Sequence, residues 1–506
     1  MTIFESKLKS VKAIHDTPIG LIHPYWARKP LNVIEAIISE FSKEGDTIAD
    51  PFMGSGTTLI AALKLNRNAV GSDLSPMATL LVNGIVNSIE NADVFEKIII
   101  DAAKDWTEFA FHLYSISTDK CVERENYEVI GDYTNSNFVL KNIDFKVKSY
   151  KANLLKGKTE ILPYIKYIKK LHNKYKNWPT DFSKIFFTEN SRIAVHKGVK
   201  AADFFTERNI VFLNYAKDYI SKQNLQEDEI NLLELFLSSM IPLLRLSDKK
   251  AGSQWPYWRP KNSLISRNPI VAIEKRKKAY LNLITWCKIE IIVKNQKHKI
   301  FNVPANELFS QYTEQVDLII TDPPYADHAP YMEYSDLHWS IIKNQRTISL
   351  WDKEIVKTNA VGRTKDSNEY EMRMYNSFCS IIEGLKENGY LIFFYVDKNL
   401  IHWQKIKEAI YDSNCFVEDV ISITKQRKSM KTVTTPGKTL DGDLLIVCKK
   451  VSDSNRKLQQ NTIKNILTQI DDVSYFDRFT SFIREFLKNE ITDLKDWQLK
   501  DLSKLI

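Results

Sequence analysis

Between residues 47 and 73 the chain passes from Thr47-Ile48-Ala49 into Asp50-Pro51-Phe52-Met53-Gly54-Ser55-Gly56-Thr57-Thr58. It continues through Leu59-Ile60-Ala61-Ala62-Leu63 to Ala69-Val70-Gly71-Ser72 and ends at Asp73. A β-branched run, a glycine turn, a helical run and a second strand closed by an acid form the βαβ plan of nucleotide-binding sheets, which constrains the fold to α/β. The glycines let a ligand approach the backbone, and an acid at the second strand end suits ribose hydroxyls. Gly54-Ser55-Gly56 lacks the third glycine of the dinucleotide pattern, and Asp50 would repel a pyrophosphate while favouring an ammonium. A ligand with a ribose and an amino-acid tail fits these residues better than a dinucleotide.

A second constrained stretch lies 272 positions beyond Asp50. Val316-Asp317-Leu318-Ile319-Ile320-Thr321 reads as a buried strand, and it stops in Asp322-Pro323-Pro324-Tyr325. Two prolines fix the backbone and remove donors, so the loop can neither turn into a helix nor extend the strand ladder. A carboxylate, backbone carbonyls and one aromatic face suit a flat, neutral substrate carrying an amino group, such as a nucleobase. Asp-Pro-Pro-Tyr alone is equally a plain turn; the upstream site is what gives it weight.

The chain's 506 residues call for two or three domains. No apolar run reaches the length of a membrane span, and charges stand where a signal peptide needs apolar residues, so a cytoplasmic location is expected. Cys121, Cys287, Cys379, Cys415 and Cys448 lie far apart without metal-ligand spacing, and are expected as buried thiols with neither disulfide nor metal. The formal charge of +8 is uneven: residues 120 to 200 hold 17 Lys and Arg against 8 Asp and Glu. That segment is either a polyanion-binding surface or a solvated lysine-rich one.

Upstream of the glycine turn, His23-Pro24-Tyr25-Trp26-Ala27-Arg28-Lys29-Pro30 reads as a rigid loop. Pro30 is placed at the first turn of a helix from Leu31 to Phe41 that Gly45 ends. Helices are expected over 75–86, 91–116, 161–175, 204–221, 227–246 and 270–283, and strand-like alternation over 121–150. Lys249, Lys250, Trp255, Tyr257, Trp258 and Arg259 interleave cations with aromatics on a proline-bounded loop, which suits phosphates and unstacked bases, or else Trp side chains that plug an interface. Lys299 to Val303 reads as a third strand, with Asn306 or Glu307 after it within reach of an adenine. Residues 326–331 would cover the site, and His328 there is a loop histidine that the chemistry does not require. Residues 342 to 368 are charged and aperiodic, as in a mobile loop. The strand at 390–396, the helix at 405–411 and the strand pair at 417–424 and 443–449 around a basic loop (425–438) close the sheet, and 452–506 reads as polar helices for packing or an oligomer contact.

Together, the glycine loop, Asp322-Pro323-Pro324-Tyr325 and the His23 to Pro30 motif resemble the amino-methyltransferases that move a methyl group from S-adenosylmethionine to an exocyclic base amine in DNA. The resemblance implies a Rossmann-like methyltransferase with a mostly parallel, doubly wound sheet, a large mainly helical insertion and C-terminal helices. Its parts would be a cofactor half (1–90), an insertion for target recognition (91–297), a catalytic half (298–451) and a helical extension (452–506). It implies S-adenosylmethionine as cofactor, held by His23, Lys29, Pro30, Asp50, Pro51, Phe52, Gly54, Ser55, Gly56, Thr57, Asp73 and Asn306. Asp322, Pro323, Pro324 and Tyr325 would be catalytic, and the strands ending at Asp50 and Asp322 would be neighbours. Double-stranded DNA is the implied partner, with the base flipped out of the helix. A homodimer and a separate restriction or defence chain are compatible with it; no metal and no membrane are implied. An Asp at the head of the catalytic motif is commoner in enzymes acting on adenine N6, leaving cytosine N4 and RNA as alternatives and an inert nucleic-acid-binding subunit as the reading of another class. The insertion departs from the family pattern in preceding the third strand.

Overall fold

The computed structural model describes residues 3–149 and 187–497, together with 499, apart from 15, 26–27, 116–119, 133–136, 194, 249–262, 293–294, 326–329, 359, 364–365, 425–439, 441, 453–457 and 471–473. The strands are β1 (Thr47–Asp50), β2 (Asn68–Ser72), β3 (Lys120–Asp132), β4 (Asn137–Ser149), β5 (Ser247–Asp248), β6 (Ser263–Arg267), β7 (His298–Phe301), β8 (Val316–Thr321), β9 (Leu385–Tyr395), β10 (Cys415–Thr424) and β11 (Gly442–Lys450). Seven of them form one sheet in the order β10-β11-β9-β8-β1-β2-β7. Every neighbouring pair is parallel except those made by β11, which runs antiparallel to both β9 and β10.

Both faces of this sheet are buried, and the alternation of the pleat decides which residue serves which face. Ile48, Leu318, Ile320, Ile392 and Phe394 join one apolar core with the helices Leu31–Phe41, Thr57–Lys64, Pro76–Glu90 and Tyr331–Lys343. Ala49, Val316, Ile319, Leu391, Phe393 and Tyr395 join the other, with the helices Ser367–Glu383, Leu400–Asp412, Ile463–Gln469 and Tyr475–Lys488. The sheet is therefore doubly wound, as the resemblance implied. The order reverses beside β1, where β2 lies on one side and β8 on the other, and the loops leaving β1 and β8 open on the same rim.

The insertion is built from the helices Ala92–Tyr114, Glu207–Lys222, Glu227–Leu244 and Pro269–Glu290, beside a four-stranded sheet of order β4-β3-β6-β5. Its most apolar helix, Glu227–Leu244, packs directly on the helix Pro76–Glu90. A Cβ on Gly84 would stand 2.6 Å from Leu235 Cδ2, so a larger residue there would have to displace Leu235. Trp106 stacks on Phe236 at 5.4 Å, and these side chains continue the first core.

Several expectations are corrected. The helix from Leu31 ends at Phe41 with Ser42 as its cap; Gly45 lies beyond it, in the turn before β1 with φ +86°. Pro30 caps that helix from one position outside its first turn. The stretch 342–368 holds the short helix Ile348–Trp351, and its described residues from there to the helix at Ser367 are loop, as the aperiodic charge suggested. Its charges pair inside: Arg346 with Asp336 at 2.6 Å, and Arg363 with Glu333 at 2.7 Å and Glu354 at 2.6 Å. The helix Tyr475–Lys488 is amphipathic rather than polar, and buries Phe476, Phe479, Phe482 and Phe486. Cys379 is half-buried; the other four cysteines are buried free thiols. The expected helix at 161–175, the loop carrying Lys249, Lys250, Trp255, Tyr257, Trp258 and Arg259, the stretch 326–329 with His328, and the basic loop 425–438 lie outside the described residues. Among the described residues no helix is long and apolar enough to cross a membrane.

Candidate active site

β1 and β8 are neighbours in parallel register, Ile48 opposite Leu318 and Ala49 opposite Ile319. Their C-terminal loops consequently meet. Thr321, the last residue of β8, donates its hydroxyl to Asp50 Oδ1 at 2.7 Å, and Phe52 N donates to the same oxygen at 3.1 Å. Burial holds the Asp50 carboxyl up at about 7, against the lowering pull of its donors Thr321, Thr58 and Phe52 N.

The glycine turn is fixed by its own conformation. Gly54 and Gly56 have φ of +49° and +76°, a region that costs a side chain strain. A Cβ on Gly56 would stand 2.7 Å from Val82 Cγ2, and one on Gly54 would stand 3.0 Å from the Tyr25 ring. Gly56→Ala is expected to destabilise the fold by about 1–3 kcal/mol, readable in chemical denaturation, and to weaken nucleotide binding by displacing the turn. Asp73, after β2, accepts Gly54 N at 2.9 Å and Ser75 N at 2.8 Å, locking the turn to the second strand. Burial raises its carboxyl to about 6, although both donors lower it.

On the β8 side, Tyr325 donates its hydroxyl to Asp322 Oδ1 at 3.0 Å, and the Lys29 ammonium lies 3.2 Å from Asp322 Oδ2. Lys29 also donates to Asp443 Oδ2 at 2.9 Å, and sits 4.8 Å over the Phe394 ring. Burial lifts the Asp322 carboxyl to about 6 against the opposing pull of Lys29. The Pro324 carbonyl accepts the Tyr370 hydroxyl at 2.9 Å, which pins the proline loop from the helix Ser367–Glu383.

Lys29, Asp50, Pro51, Phe52, Gly54, Ser55, Thr57, Asp73, Asp322 and Pro324 line one cavity of about 990 Å³, counting its open mouth. Pro30, Gly56, Pro323 and Tyr325 stand just outside its lining, in the turns that shape it. Two residues singled out in the sequence do not reach it. His23 is buried, bonding Ser238 Oγ through Nε2 at 2.9 Å, and Asn306 is exposed on the short turn Ala305–Glu307, where Pro304 and Ala305 line the wall instead. Arg28 and Tyr331, which stand inside stretches the sequence had singled out, join the lining; sequence reasoning missed Met332, Glu354 and Phe394 there, and Asp443 behind it. Arg28 staples the upstream loop through Ile19 O at 2.7 Å and His23 O at 3.1 Å. Of these, Phe394 carried a signal: β9 alternates, so its last residues reach the same rim as Asp322.

One comparison with known proteins falls on this site. A family model described as "DNA methylase" matches residues 4–82, which include the upstream motif, the glycine turn and Asp73. The Type II methyltransferase M.MjaII of Methanocaldococcus jannaschii is 29% identical over 171 residues, 33% of this chain and 30% of that protein. M1.MboII of Moraxella bovis is 40% identical over 82 residues, 16% of this chain and 28% of its own length. M.HindIII of Haemophilus influenzae is 42% identical over 71 residues, 14% of this chain and 21% of its own. Over residues 4–82 the chain is similar to the DNA methylases. It spans less than a third of the length of each of these relatives. A solved structure titled as a putative methyltransferase from Thermoplasma acidophilum aligns at 13% identity with a TM-score of 0.18, over 35% of this chain and 54% of that one, too distant to add to the topology described above.

Proposed function

We propose that this protein is a DNA amino-methyltransferase, which transfers a methyl group from S-adenosylmethionine to the N6 amine of a flipped adenine in double-stranded DNA. The observation that carries the reading is one cavity shared by the glycine turn and the carboxylate of Asp322. The donor set fits the cofactor. The glycine turn presents Gly54 on the cavity wall, Asp50 is a buried carboxylate suited to an ammonium, and Asp73 stands on the same wall, where an acid suits ribose hydroxyls. When bound, S-adenosylmethionine supplies an already activated methyl on a sulfonium, so the protein's tasks are alignment and charge placement.

Asp322 and the Pro323 carbonyl would accept hydrogen bonds from the base amine. This favours a pyramidal nitrogen and stabilises the positive charge that develops on it during attack. Tyr325 offers a ring for stacking the extruded base. No covalent intermediate on the protein is required. The insertion would grip the duplex and read its sequence, and a homodimer or a separate restriction chain is compatible with this reading.

The test is transfer of tritiated methyl to unmethylated genomic DNA, followed by modification mapping. The reading expects N6-methyladenine in one sequence context. N4-methylcytosine would move the assignment to the other base amine, label on RNA alone would change the substrate, and no label with no heat on cofactor titration would mean an inert subunit.

A pH dependence follows from Asp50. Its carboxyl stands at about 7 without ligand, and only the ionised form attracts an ammonium. Cofactor affinity should therefore rise by up to about tenfold per pH unit between about 5.5 and 7. Calorimetry over that range checks this; an affinity that is flat or falls with pH there would separate the ammonium from Asp50.

A further inference from the structure

In the structure both oxygens of Asp322 are engaged, Oδ1 by the Tyr325 hydroxyl and Oδ2 by the Lys29 ammonium. A base amine that must become positive on this carboxylate gains little while a full cation sits 3.2 Å from it, because the two positive charges repel. Lys29 must therefore leave Asp322 when the substrate arrives. Its side chain is only 13% exposed, so it cannot escape to solvent without leaving an empty buried position.

A second anion already faces it. Asp443 Oδ2 lies 2.9 Å from Lys29 Nζ, closer than Asp322 does. Asp443 sits near the start of β11, which is registered against β9 with Leu444 opposite Tyr395, so its position is set by the sheet and is independent of the proline loop. The preceding Gly442 keeps that strand close: a Cβ there would stand 2.3 Å from Ile423 O and 2.6 Å from the Phe476 ring. Asp443 and Asp322 thus flank one ammonium, one on a rigid strand and the other on the loop that meets substrate.

We infer that Asp443 is a positioning residue of the transfer site: it retains the Lys29 ammonium when the base amine takes its place on Asp322. The inference rests on Asp322 being the amine acceptor. Without Asp443, Lys29 has Asp322 as its one carboxylate partner among the described residues and competes with substrate for it. Without both Lys29 and Asp443, Asp322 is open to the amine with no cation to displace.

The experiment compares Asp443→Asn, Lys29→Met and the double variant of the full chain in single-turnover methyl transfer, with cofactor affinity measured by calorimetry. Asp443→Asn is expected to slow transfer by about a hundredfold with cofactor affinity within about threefold. Adding Lys29→Met should restore transfer by at least about tenfold, a rescue that loss of a merely structural aspartate would not allow. A double variant no faster than Asp443→Asn, or Asp443→Asn at the wild-type rate, overturns the inference. A structure of the wild-type chain with DNA and S-adenosylhomocysteine supplies a readout that needs no variant to fold. Lys29 Nζ on Asp443 and away from Asp322 is expected, and Lys29 still on Asp322 beside a seated base is contrary. Failure of the underlying reading is distinguishable, because Asp322→Ala would then transfer at the wild-type rate.

Discussion

Replacing Asp322 by alanine is expected to lower methyl transfer by at least about 10³-fold while leaving S-adenosylmethionine affinity within about threefold. The split follows from where the carboxylate stands. It lines the cavity on the β8 side, whereas the glycine turn, Asp50 and Asp73 belong to β1 and β2. The fold should survive, because Lys29 keeps Asp443 at 2.9 Å and Tyr325 keeps its contact with Tyr395, the rings meeting edge-on at 5.5 Å. Single-turnover transfer and cofactor calorimetry on the same preparation measure both halves of the expectation. A variant that methylates at the normal rate would remove Asp322 from its role.

The second large effect is expected at Asp50, where function and stability should move in opposite directions. Asp50→Asn removes the charge that an ammonium would meet, and should weaken cofactor binding by at least about a hundredfold. The same change should stabilise the unliganded protein at pH 8. The folded carboxyl stands at about 7, above its ordinary 3.8, so the stability it contributes is present below about pH 4 and is lost as pH rises through 7. At pH 8 the buried charge therefore costs on the order of 4 kcal/mol, which asparagine avoids while its side-chain oxygen still accepts from Phe52 N and Thr321. Thermal unfolding at pH 8 should show a midpoint raised by at least about 2 °C, with the difference vanishing near pH 4. A variant that binds cofactor normally, or is less stable at pH 8, would contradict this account of Asp50.

The parts of the site legible in the sequence are those whose backbone is specified locally. Gly54 and Gly56 need positive φ, Pro323 and Pro324 forbid a ladder, and Asp50, Asp73 and Asp322 each stand at the C-terminal end of a strand. Each of these writes its constraint within a few residues. Residues whose place depends on distant partners were not legible. Asp443 joins the site because β11 returns antiparallel between β9 and β10, and nothing around Asp443 itself announces that neighbour. Glu354 reaches the cavity wall while paired to Arg363 and accepting from Met332 N at 3.0 Å, inside a stretch whose charges imitate a solvated loop. His23 misled for the converse reason: it belongs to the motif by sequence, but the helix Glu227–Leu244 from the insertion takes its Nε2 through Ser238.

The central claim is that the turn after β1 and the loop after β8 serve one ligand and one transfer. A structure with S-adenosylhomocysteine bound tests it most directly, read as the distances from the ligand to two carboxylates. The account predicts the ligand's amine within roughly 3.2 Å of Asp50 and its sulfur facing Asp322 across the same cavity. A ligand seated elsewhere, or one whose sulfur points away from Asp322, would contradict it.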